Sequence, residues 1–542
     1  MSVNIRLKHS SVPGKAPLPS DLLDGELALN INTASPAAYF KDSAGNVVKL
    51  AGVGAIGGYW NRTGTVLSPT NVGDDITTTG DVNGAAGTFT GNVTVAQLAS
   101  TVGIGNVAVD ANGTLVRQAL PFSWDANDDT YSRIPVADRS ILVQARMKRC
   151  LVTDAGVVTY LDADDSIKLA GDWVRLVETT ELDTAYTGTH QAEQANTELR
   201  SLAPAWSAGT FTKGALVSYG GFVWECVAAT TTATPAAGTL AATLNGTAGQ
   251  VMVEIPLFSI KHNTERSGTY KRHEFAVVPG AATTGGFAVH PAFVKPDGSF
   301  RNFIYVGAYQ GTGTSGNGSA SGVNNAVNFT RATCRTACAG RGAGWHQLGY
   351  WEHNALQWLL ITEYEDMNSQ RVLGNGAMAG AVYVVPTGLS NARGNRCGHA
   401  HTPAGANTDY VSYRGVENFY GRAWQWVDGI NVNERNIYLS NNPANWADDT
   451  ATNYIAIGTV PAGSGAYQRD VFTGTALLPS SVTGASATSY VGDALWTNSG
   501  WRVARVGGHA YNGAQVGALC VRLNHASSHA HTAIGGRLAY AA

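Results

Sequence analysis

The sequence has 542 residues, a length that corresponds to three or four domains if each holds about 150 residues. Its net charge is −3, and charged residues make up 14% of the chain, against about 25% in an ordinary soluble domain. Nucleic-acid binding needs a basic excess, which this chain lacks. No apolar run reaches the roughly 18 residues of a membrane-spanning helix, so we expect no membrane insertion.

Glycine contributes 64 of the 542 residues, well above its usual share of about 7%. The six cysteines are too widely spaced to form the dense framework of a disulfide-stabilised protein. The first ten residues, MSVNIRLKHS, lack the apolar stretch of a secretory signal, so we expect synthesis in the cytoplasm without a signal peptide. A long, charge-poor, glycine-rich chain with short apolar segments indicates a mainly β protein.

Changes in composition divide the chain into five segments, which are 1–55, 56–117, 118–202, 203–250 and 251–542. In the first segment, YFKD at 39–42 and GNVVKL at 45–50 predict two strands joined by a turn.

The segment 56–117 is nearly free of large apolar side chains and contains a weak repeat. GDVN at 80–83 is followed by GNVT at 91–94 and by GNVA at 105–108. A strand-and-turn unit this small cannot bury a face by itself. We therefore expect a thin homotrimeric β-fibre in which three copies pack together, the alternative being disorder.

Two of the later segments carry helix patterns. Segment 118–202, expected to be a β-rich intermediate domain, contains a short polar helix pattern near residues 191–202. In segment 251–542, apolar residues recur at steps of three and four over residues 351–364, which predicts a helix. Eight of the 13 tryptophans lie between residues 345 and 501, so we expect the main hydrophobic core there.

The segment 203–250 alternates aromatic residues with glycine, which indicates a very small β-module. It resembles small carbohydrate-binding modules of the chitin-binding type. This resemblance makes Trp206, Tyr219 and Trp224 a candidate platform for stacking on sugar rings. The later aromatic pair of those modules is replaced by AATT at 228–231, so the alternative is a spacer that keeps only the fold.

Three blocks near the C-terminus carry a recognisable pattern. They are GFAVHPAF at 286–293 leading to GAY at 307–309, YRGVENFYGRAWQWVDG at 413–429, and GWRV at 500–503 closing on IGGRL at 534–538. Together they resemble the C-type-lectin-like fold shared by formylglycine-generating enzymes and the variable proteins of diversity-generating retroelements. The phage receptor-binding proteins called major tropism determinants belong to the second group. This resemblance covers residues 251–542 and implies an α+β C-terminal domain after β-rich fibre and small β-modules.

Near the N-terminus, DGELALN at 24–30 and FKD at 40–42 resemble the virion-attachment end of phage tail fibres. This resemblance implies that segment 1–55 binds phage tail or baseplate proteins and that the protein lies in the virion. It agrees with the fibre-like repeat that follows.

The retroelement resemblance implies a variable region, here residues 500–540. In such proteins, mutagenesis directed at adenine changes asparagine codons near the C-terminus into those of His, Tyr, Ser, Ala, Arg and several other residues, but not Gln. Gln515 is therefore expected to be framework. Residues of the permitted set and unchanged asparagines are expected to bind the ligand: His509, Ala510, Tyr511, Asn512, Arg522, Asn524, His525, His529, His531 and Ala533.

Other residues of the three blocks are expected to form the scaffold. Trp424 and Trp426 are two residues apart, so on a strand they share one face and supply aromatic core. Trp501 and Arg537 are assigned to the scaffold as well. Arg414 and Glu417 are expected to pair and to brace a loop.

Other interpretations of the tail remain open. His525, His529 and His531 are candidate metal ligands, but no helix pattern or nearby carboxylate supports such a site, and we expect no metal and no cofactor. Alternatively, they belong to a lectin-like domain that is not diversified and binds carbohydrate. Oxygen-bearing side chains at 428–434 offer calcium ligands, and calcium is left unassigned.

The formylglycine-generating relatives make oxidative catalysis the rival function. Their chemistry uses a pair of reactive cysteines near the end of the domain, where this chain has Cys520 alone. Cys334 and Cys338 lie far upstream, and a single thiol cannot supply the redox chemistry of such a mechanism. We therefore expect no enzymatic activity, and instead a homotrimer that attaches a phage to a bacterial surface receptor, either protein or glycan.

Overall fold

Strands dominate the secondary structure, which confirms the predicted mainly β class. The chain divides into two compact units, residues 1–94 and 95–542. No helix among the described residues is long and apolar enough to cross a membrane. The computed structural model describes residues 7–51, 60–63, 66–69, 107–109, 115–117, 122–178, 195–266, 268–377, 380, 382–402, 404–487 and 491–541.

The first unit contains a four-stranded sheet of order β1-β2-β3-β4 and a separate two-stranded pair, β5-β6. Its strands are β1 (Lys8–Ser10), β2 (Leu27–Asn30), β3 (Ala37–Lys41), β4 (Val47–Ala51), β5 (Trp60–Thr63) and β6 (Val66–Pro69). The hairpin predicted at 39–50 is confirmed as β3 and β4. Gly45 supports its turn with a φ of 86°, and Asp42 Oδ1 accepts hydrogen bonds from the N–H groups of Ala44 and Asn46.

Two of the three predicted repeats, at 80–83 and 91–94, lie outside the described residues. The third contributes to β7, which pairs with β8. The first half of the second unit contains β7 (Val107–Val109), β8 (Leu115–Arg117), β9 (Phe122–Asp125), β10 (Thr130–Ser132), β11 (Lys148–Val152), β12 (Val158–Tyr160), β13 (Trp173–Arg175), α1 (Thr197–Ser201), β14 (Phe211–Thr212), β15 (Leu216–Tyr219), β16 (Phe222–Cys226) and β17 (Thr230–Thr231).

Helix α1 lies within the stretch predicted to be helical near 191–202, of which residues 191–194 lie outside the described residues. Asn196 begins it by accepting a hydrogen bond from the Leu199 N–H at 2.8 Å. The chain then continues through β18 (Gln250–Pro256), β19 (Phe258–Arg266), β20 (Lys271–Pro279), β21 (Ala288–Val289), β22 (Phe303–Gly307), α2 (Arg331–Ala339), β23 (Trp345–Gln347), α3 (Tyr350–Tyr364) and α4 (Ser369–Val372).

The remaining residues are almost entirely strands and loops, and the last strand closes a sheet. Strand β37 pairs with both β22 and β23. The strands are β24 (Gly398–Ala400), β25 (Tyr410–Tyr413), β26 (Val416–Glu417), β27 (Trp424–Asn433), β28 (Asn436–Leu439), β29 (Ile455–Thr459), β30 (Ser464–Tyr467), β31 (Asp470–Val471), β32 (Pro479–Ser481), β33 (Ala494–Thr497), β34 (Trp501–Val506), β35 (Val521–His525), β36 (Ile534–Gly535) and β37 (Leu538–Tyr540).

Two sheets contain strands from both sides of residue 251, where the sequence predicts a domain boundary. One has the order β12-β11-β18-β22-β37-β23, and the other has the order β10-β9-β20-β19-β21. The predicted module at 203–250 is linked in the same way, because its strand β16 pairs with β13 of the preceding segment. Hydrogen bonds between strands therefore connect the three predicted segments.

Helix α3 confirms the helix predicted at 351–364, but it is buried nearly all round. Of its 15 residues, 13 are buried, and only Trp351 and Thr362 are partly exposed. Strands β20 and β27 both pack against it. Two of its buried polar side chains connect it to other segments: Asn354 Oδ1 lies 3.0 Å from His290 Nε2, and Gln357 donates to the Ala518 carbonyl at 2.9 Å.

A fully buried ion pair joins α3 to the hairpin of β25 and β26. Arg414 Nη2 lies 2.5 Å from Glu363 Oε1, and the Tyr413 hydroxyl donates to Glu363 Oε2 at 3.0 Å. The predicted pair of Arg414 with Glu417 is wrong. Arg414 lies in the two-residue turn of the hairpin, with a φ of 46°, whereas Glu417 is paired across the hairpin with Ser412. Glu417 accepts hydrogen bonds from backbone N–H groups of residues 388 and 390.

Replacing Glu363 by Gln should strongly destabilise the second unit. The variant leaves the Arg414 guanidinium buried without a counter-charge, a change that costs about 3–5 kcal/mol. The free energy of unfolding is measured from tryptophan fluorescence in urea. The matched control is Asp154→Asn, which breaks the exposed pair with Arg341 and should cost far less. Equal losses in the two variants would contradict the expectation.

Candidate functional site

Three neighbouring parts of the chain carry the predicted ligand-binding residues. Strand β35 holds Arg522, Asn524 and His525, and the others lie in the loops 507–520 and 526–533 on either side of it. Strand β35 belongs to an eight-stranded sheet with the order β29-β28-β27-β34-β35-β33-β30, in which β36 also pairs with β27. The structure therefore gathers the predicted tail residues on and around one sheet.

A row of four side chains crosses four strands of this sheet. Trp426 on β27 is paired with Arg505 on β34, Arg505 with Arg522 on β35, and Arg522 with Trp496 on β33. The Arg505 guanidinium lies 5.1 Å from the ring centre of Trp424, and that of Arg522 lies 4.9 Å from Trp496. Both distances are those of cation–π contacts, so the indole rings hold the two arginines in place.

His509 and Tyr511 extend this row on the side of the loop 507–520. The His509 ring centre is 6.1 Å from that of Trp424 and 5.1 Å from that of Tyr383. Tyr383 also packs edge-on against Tyr511 at 5.3 Å, and Tyr511 is 56% exposed. Two tyrosines and a histidine thus form one aromatic group beside the arginines.

His525, His529 and His531 form a second group of rings. The His525 and His529 rings stack at 3.8 Å, His531 lies 6.2 Å from His529, and His529 also packs edge-on against Trp426. Burial and the nearby Arg505 lower the pKa of His525 to about 3 and also lower that of His529. Neutral rings are therefore favoured at His525 and His529, which removes the repulsion that two stacked imidazolium groups would create.

Together these side chains form one surface, to which the structure adds Tyr383. We call it the C-terminal surface, and its members are Tyr383, His509, Tyr511, Arg522, His525, His529 and His531.

Four other predicted ligand-binding residues have different positions. Ala510 and Ala533 are buried, so their side chains do not reach the surface, and each is tied to the scaffold through its backbone. The Ala510 N–H donates to the Arg422 carbonyl, and the Ala533 carbonyl accepts from the Trp424 N–H. The partly exposed asparagines orient their neighbours: Asn512 accepts from the His509 N–H, and Asn524 accepts from Arg522 Nε at 3.2 Å.

Buried contacts fix the base of the loop 507–520. The Asp493 carboxylate accepts from the Leu519 N–H at 2.6 Å, and the Ser369 hydroxyl accepts from the Ala518 N–H at 2.9 Å. Gly508 packs so closely on Val516 that a Cβ atom would lie 2.3 Å from Val516 Cγ2. Only the outer part of the loop, around Tyr511, is exposed, so side chains there can differ without changing the scaffold.

The expected scaffold residues differ in depth. Trp424, Trp426 and Arg537 are fully buried, and Arg537 binds the Gly307 carbonyl at 2.6 Å and Gln425 Oε1 at 2.8 Å. Burial lowers the pKa of Arg537 to about 9. Trp501 is partly exposed and packs against Tyr438 with ring centres 6.1 Å apart.

The candidate sugar platform lies on the sheet of order β13-β16-β15. Trp206 and Tyr219 contact each other edge-on at 5.6 Å, and Tyr219 is 41% exposed. Trp224 is buried beside Trp173, and its Nε1 donates to the Tyr219 carbonyl at 3.0 Å. Trp224 therefore supports the module from inside and offers no open ring face.

Two of the oxygen-bearing side chains at 428–434 are bound by arginines rather than left free for a metal ion. Asp428 Oδ2 accepts from Arg335 Nε at 2.5 Å, and Asn431 Oδ1 accepts from Arg331 Nη2 at 2.6 Å. Two guanidinium groups therefore occupy the positions from which calcium would be bound. Among the described residues, no group of three or more His, Cys, Asp or Glu side chains is placed to hold a metal ion.

The cysteines are all buried and unpaired. Burial raises the pKa of the Cys520 thiol. The Cys334 sulfur lies 3.9 Å from the Cys338 sulfur, and this contact together with burial raises the pKa of Cys334. Thiols in such surroundings are poor nucleophiles and poor metal ligands.

Sequence reasoning missed Tyr383, Arg505 and Trp496. Tyr383 is more than 120 residues from the tail, so only the folded chain brings it to the surface. Arg505 carried a signal of its own, because it is a charged residue between the apolar residues Ala504 and Val506 of a buried strand.

The histidines should make the second unit less stable in acid. Burial lowers the pKa of His525 to about 3 and that of His509 to about 4, from an ordinary value of about 6.5. The unfolded chain therefore binds more protons, so this part of the stability is complete above about pH 6.5 and falls as the pH decreases toward 4.

Replacing both His509 and His525 by Asn should flatten the fall in unfolding free energy between pH 6.5 and pH 4. Urea unfolding at several pH values gives the two slopes. Phe300→Ala, at an exposed residue that does not titrate, is the control and should keep the slope of the unmodified protein. An unchanged slope in the double variant would disprove the assignment.

Comparisons with known proteins gave matches only among solved structures. No protein-family model and no curated protein matches the sequence. The chain is similar to the Major Tropism Determinant P3c and U1 variants, each at 14% identity and a TM-score of 0.25, over 61% of this chain and 80% of theirs. The M1 variant matches at the same identity and TM-score over 64% of this chain and 84% of its own. Values this low do not assign the chain to a family.

Proposed function

We propose that this chain is a receptor-binding protein of a phage tail fibre. The C-terminal surface would bind a ligand on the bacterial cell, and no covalent bond would be made or broken. The observation that carries the proposal is the arrangement of that surface, in which seven aromatic or basic side chains from separate loops and strands lie together on a fixed scaffold.

The chemistry of the C-terminal surface suits recognition. Tyrosine, histidine and arginine provide flat contact area and hydrogen bonds, and the two ring side chains lose little conformational entropy on binding. Their backbone is held by buried contacts such as that between Asp493 and Leu519. Solvent-facing side chains on such a base can be exchanged at small cost, as a diversified site of C-type-lectin type requires.

The N-terminal part would attach the fibre to phage tail or baseplate proteins, and the chain would act as a homotrimer in the virion. The first unit exposes several large apolar side chains, among them Leu18, Leu23 and Ile31. Surfaces of this kind favour association with another chain. Three binding sites on one fibre, and several fibres on one particle, would raise the avidity by about 10²–10⁴.

The first test removes four of the rings of the C-terminal surface. Replacing His509, Tyr511, His525 and His529 together by Ala should reduce binding of the fluorescently labelled protein to receptive bacterial cells at least tenfold, since hot-spot aromatic residues often contribute 2 kcal/mol or more. A strain is first selected from a panel by its binding of the unmodified protein. Leu240→Ala with Phe300→Ala, at exposed positions elsewhere, is the control. Unchanged binding of the fourfold variant would disprove the site.

The second test concerns assembly. The purified chain should have a mass in multi-angle light scattering of three times its own 56.6 kDa, because a fibre segment so poor in large apolar residues would bury its surface only against other copies. If residues 1–117 hold the trimer together, a chain that lacks them should have the mass of a monomer. A monomer of the full chain would contradict the fibre model.

A further inference from the structure

Two arginines lie directly opposite each other at the centre of the C-terminal surface. Arg505 and Arg522 are paired residues on the neighbouring strands β34 and β35. Like charges in this position repel, and the cost grows when the groups are shielded from water. Arg505 is only 4% exposed.

Hydrogen-bond donors in this place lack acceptors. Among the described residues, Arg505 Nε and the neighbouring Trp424 Nε1 are buried and have no hydrogen-bond partner. Two other buried arginines of the same unit are neutralised: Arg414 reaches Glu363 and the Val177 carbonyl, and Arg331 reaches Asp448, Asn431 and the Ile430 carbonyl. Arg422 also has a buried Nε without an acceptor, but it donates to carbonyls through both of its terminal nitrogens, whereas Arg505 forms no hydrogen bond or ion pair within the described residues. A buried donor without an acceptor is costly, and two such donors lie here beside a pair of like charges.

The electrostatic surroundings of the two arginines are basic. Burial and the charge of Arg522 lower the pKa of Arg505 to about 9, and the other charged influence on it is the Cys520 thiol. The nearby side chains are histidines, and the Asp449 carboxylate at the edge of the surface is bound by the Ser527 hydroxyl. An anion placed between the guanidinium groups would remove the repulsion and accept the unused hydrogen bonds.

We propose that Arg505, Arg522 and the Trp424 indole N–H bind the oxyanion of an acidic saccharide. A pair of arginines can recognise either a carboxylate or a phosphate, because both anions attract the positive charge and both accept hydrogen bonds from the planar guanidinium groups. The surrounding Tyr511 and the stacked His525 and His529 offer ring faces of the kind that pack on sugar rings, which favours a saccharide over an acidic peptide. The inference rests on the proposed function only in placing this saccharide on a bacterial surface.

The test measures ligand-induced stabilisation of the purified full-length protein. Trigalacturonate supplies a carboxylate and mannose 6-phosphate supplies a phosphate, with neutral galactotriose and triglutamate as controls. At least one acidic sugar should raise the unfolding midpoint by about 2 °C or more at saturation, and 0.5 M NaCl should weaken the effect. The carboxylate and phosphate arms identify which oxyanion is bound.

Variants separate a binding role from a structural one. Arg522→Met should weaken the binding of the active sugar at least about tenfold, and it should keep or raise the midpoint without ligand because the repulsion with Arg505 disappears. Arg505→Met should behave in the same way. If the arginines only support the indoles, both variants should instead lower the ligand-free midpoint. Arg272→Met, at an exposed position on β20, is the control.

The inference fails if neither acidic sugar shifts the midpoint, if galactotriose or triglutamate shifts it as much, or if Arg522→Met leaves the shift unchanged. These measurements need no cells. A negative result with sugars, together with loss of cell binding in the fourfold variant, would overturn the ligand class and leave the receptor-binding function intact.

Discussion

Buried arginines hold the loops of the second unit together. Among the largest fully buried side chains are Arg149, Arg331, Arg414, Arg422 and Arg537. Many of their acceptors are backbone carbonyls: Arg537 binds those of Gly307, Glu417 and Asn418, and Arg422 binds those of Val382, Asn407 and Asp409. A chain with many loops has many backbone carbonyls without strand partners, and a guanidinium group satisfies several at once. Although only 14% of the residues are charged, several arginines among them lie inside the protein and stabilise its loops.

These buried hydrogen bonds explain how loops can support the C-terminal surface. The segments 507–520 and 526–533 have little secondary structure, yet their bases are bound to Asp493, Ser369 and the Trp424 backbone. The exposed residues lie between these hydrogen-bonded ends of the two loops. Arg505 packs over the rings of Trp424 and Trp426 and forms no hydrogen bond or ion pair within the described residues. A buried guanidinium group without an acceptor therefore lies beside the surface for which we propose binding.

Local patterns predicted local structure well. The helix at 351–364 and the hairpin at 39–50 were both visible from residue spacing and turn residues, since these depend on neighbours in sequence. The partner of Arg414 was predicted wrongly, because Glu363 lies 51 residues away and the nearer Glu417 is directed to backbone N–H groups. The inward position of Ala510 and Ala533 was equally invisible, since small residues fit both a loop tip and a tight core.

Composition and short-range periodicity predict the mainly β class, the central helix, and the concentration of histidine, tyrosine and asparagine near the C-terminus. The folded chain is needed to show which of those residues share a surface, that Tyr383 joins them, and that Arg505 and Trp496 lie on the strands beside them. Strand pairing made that choice, because the register of β27, β34, β35 and β33 sets Trp426, Arg505, Arg522 and Trp496 side by side. Contacts between distant segments depend on hydrogen bonds and burial across the whole fold, and no single stretch of residues encodes them.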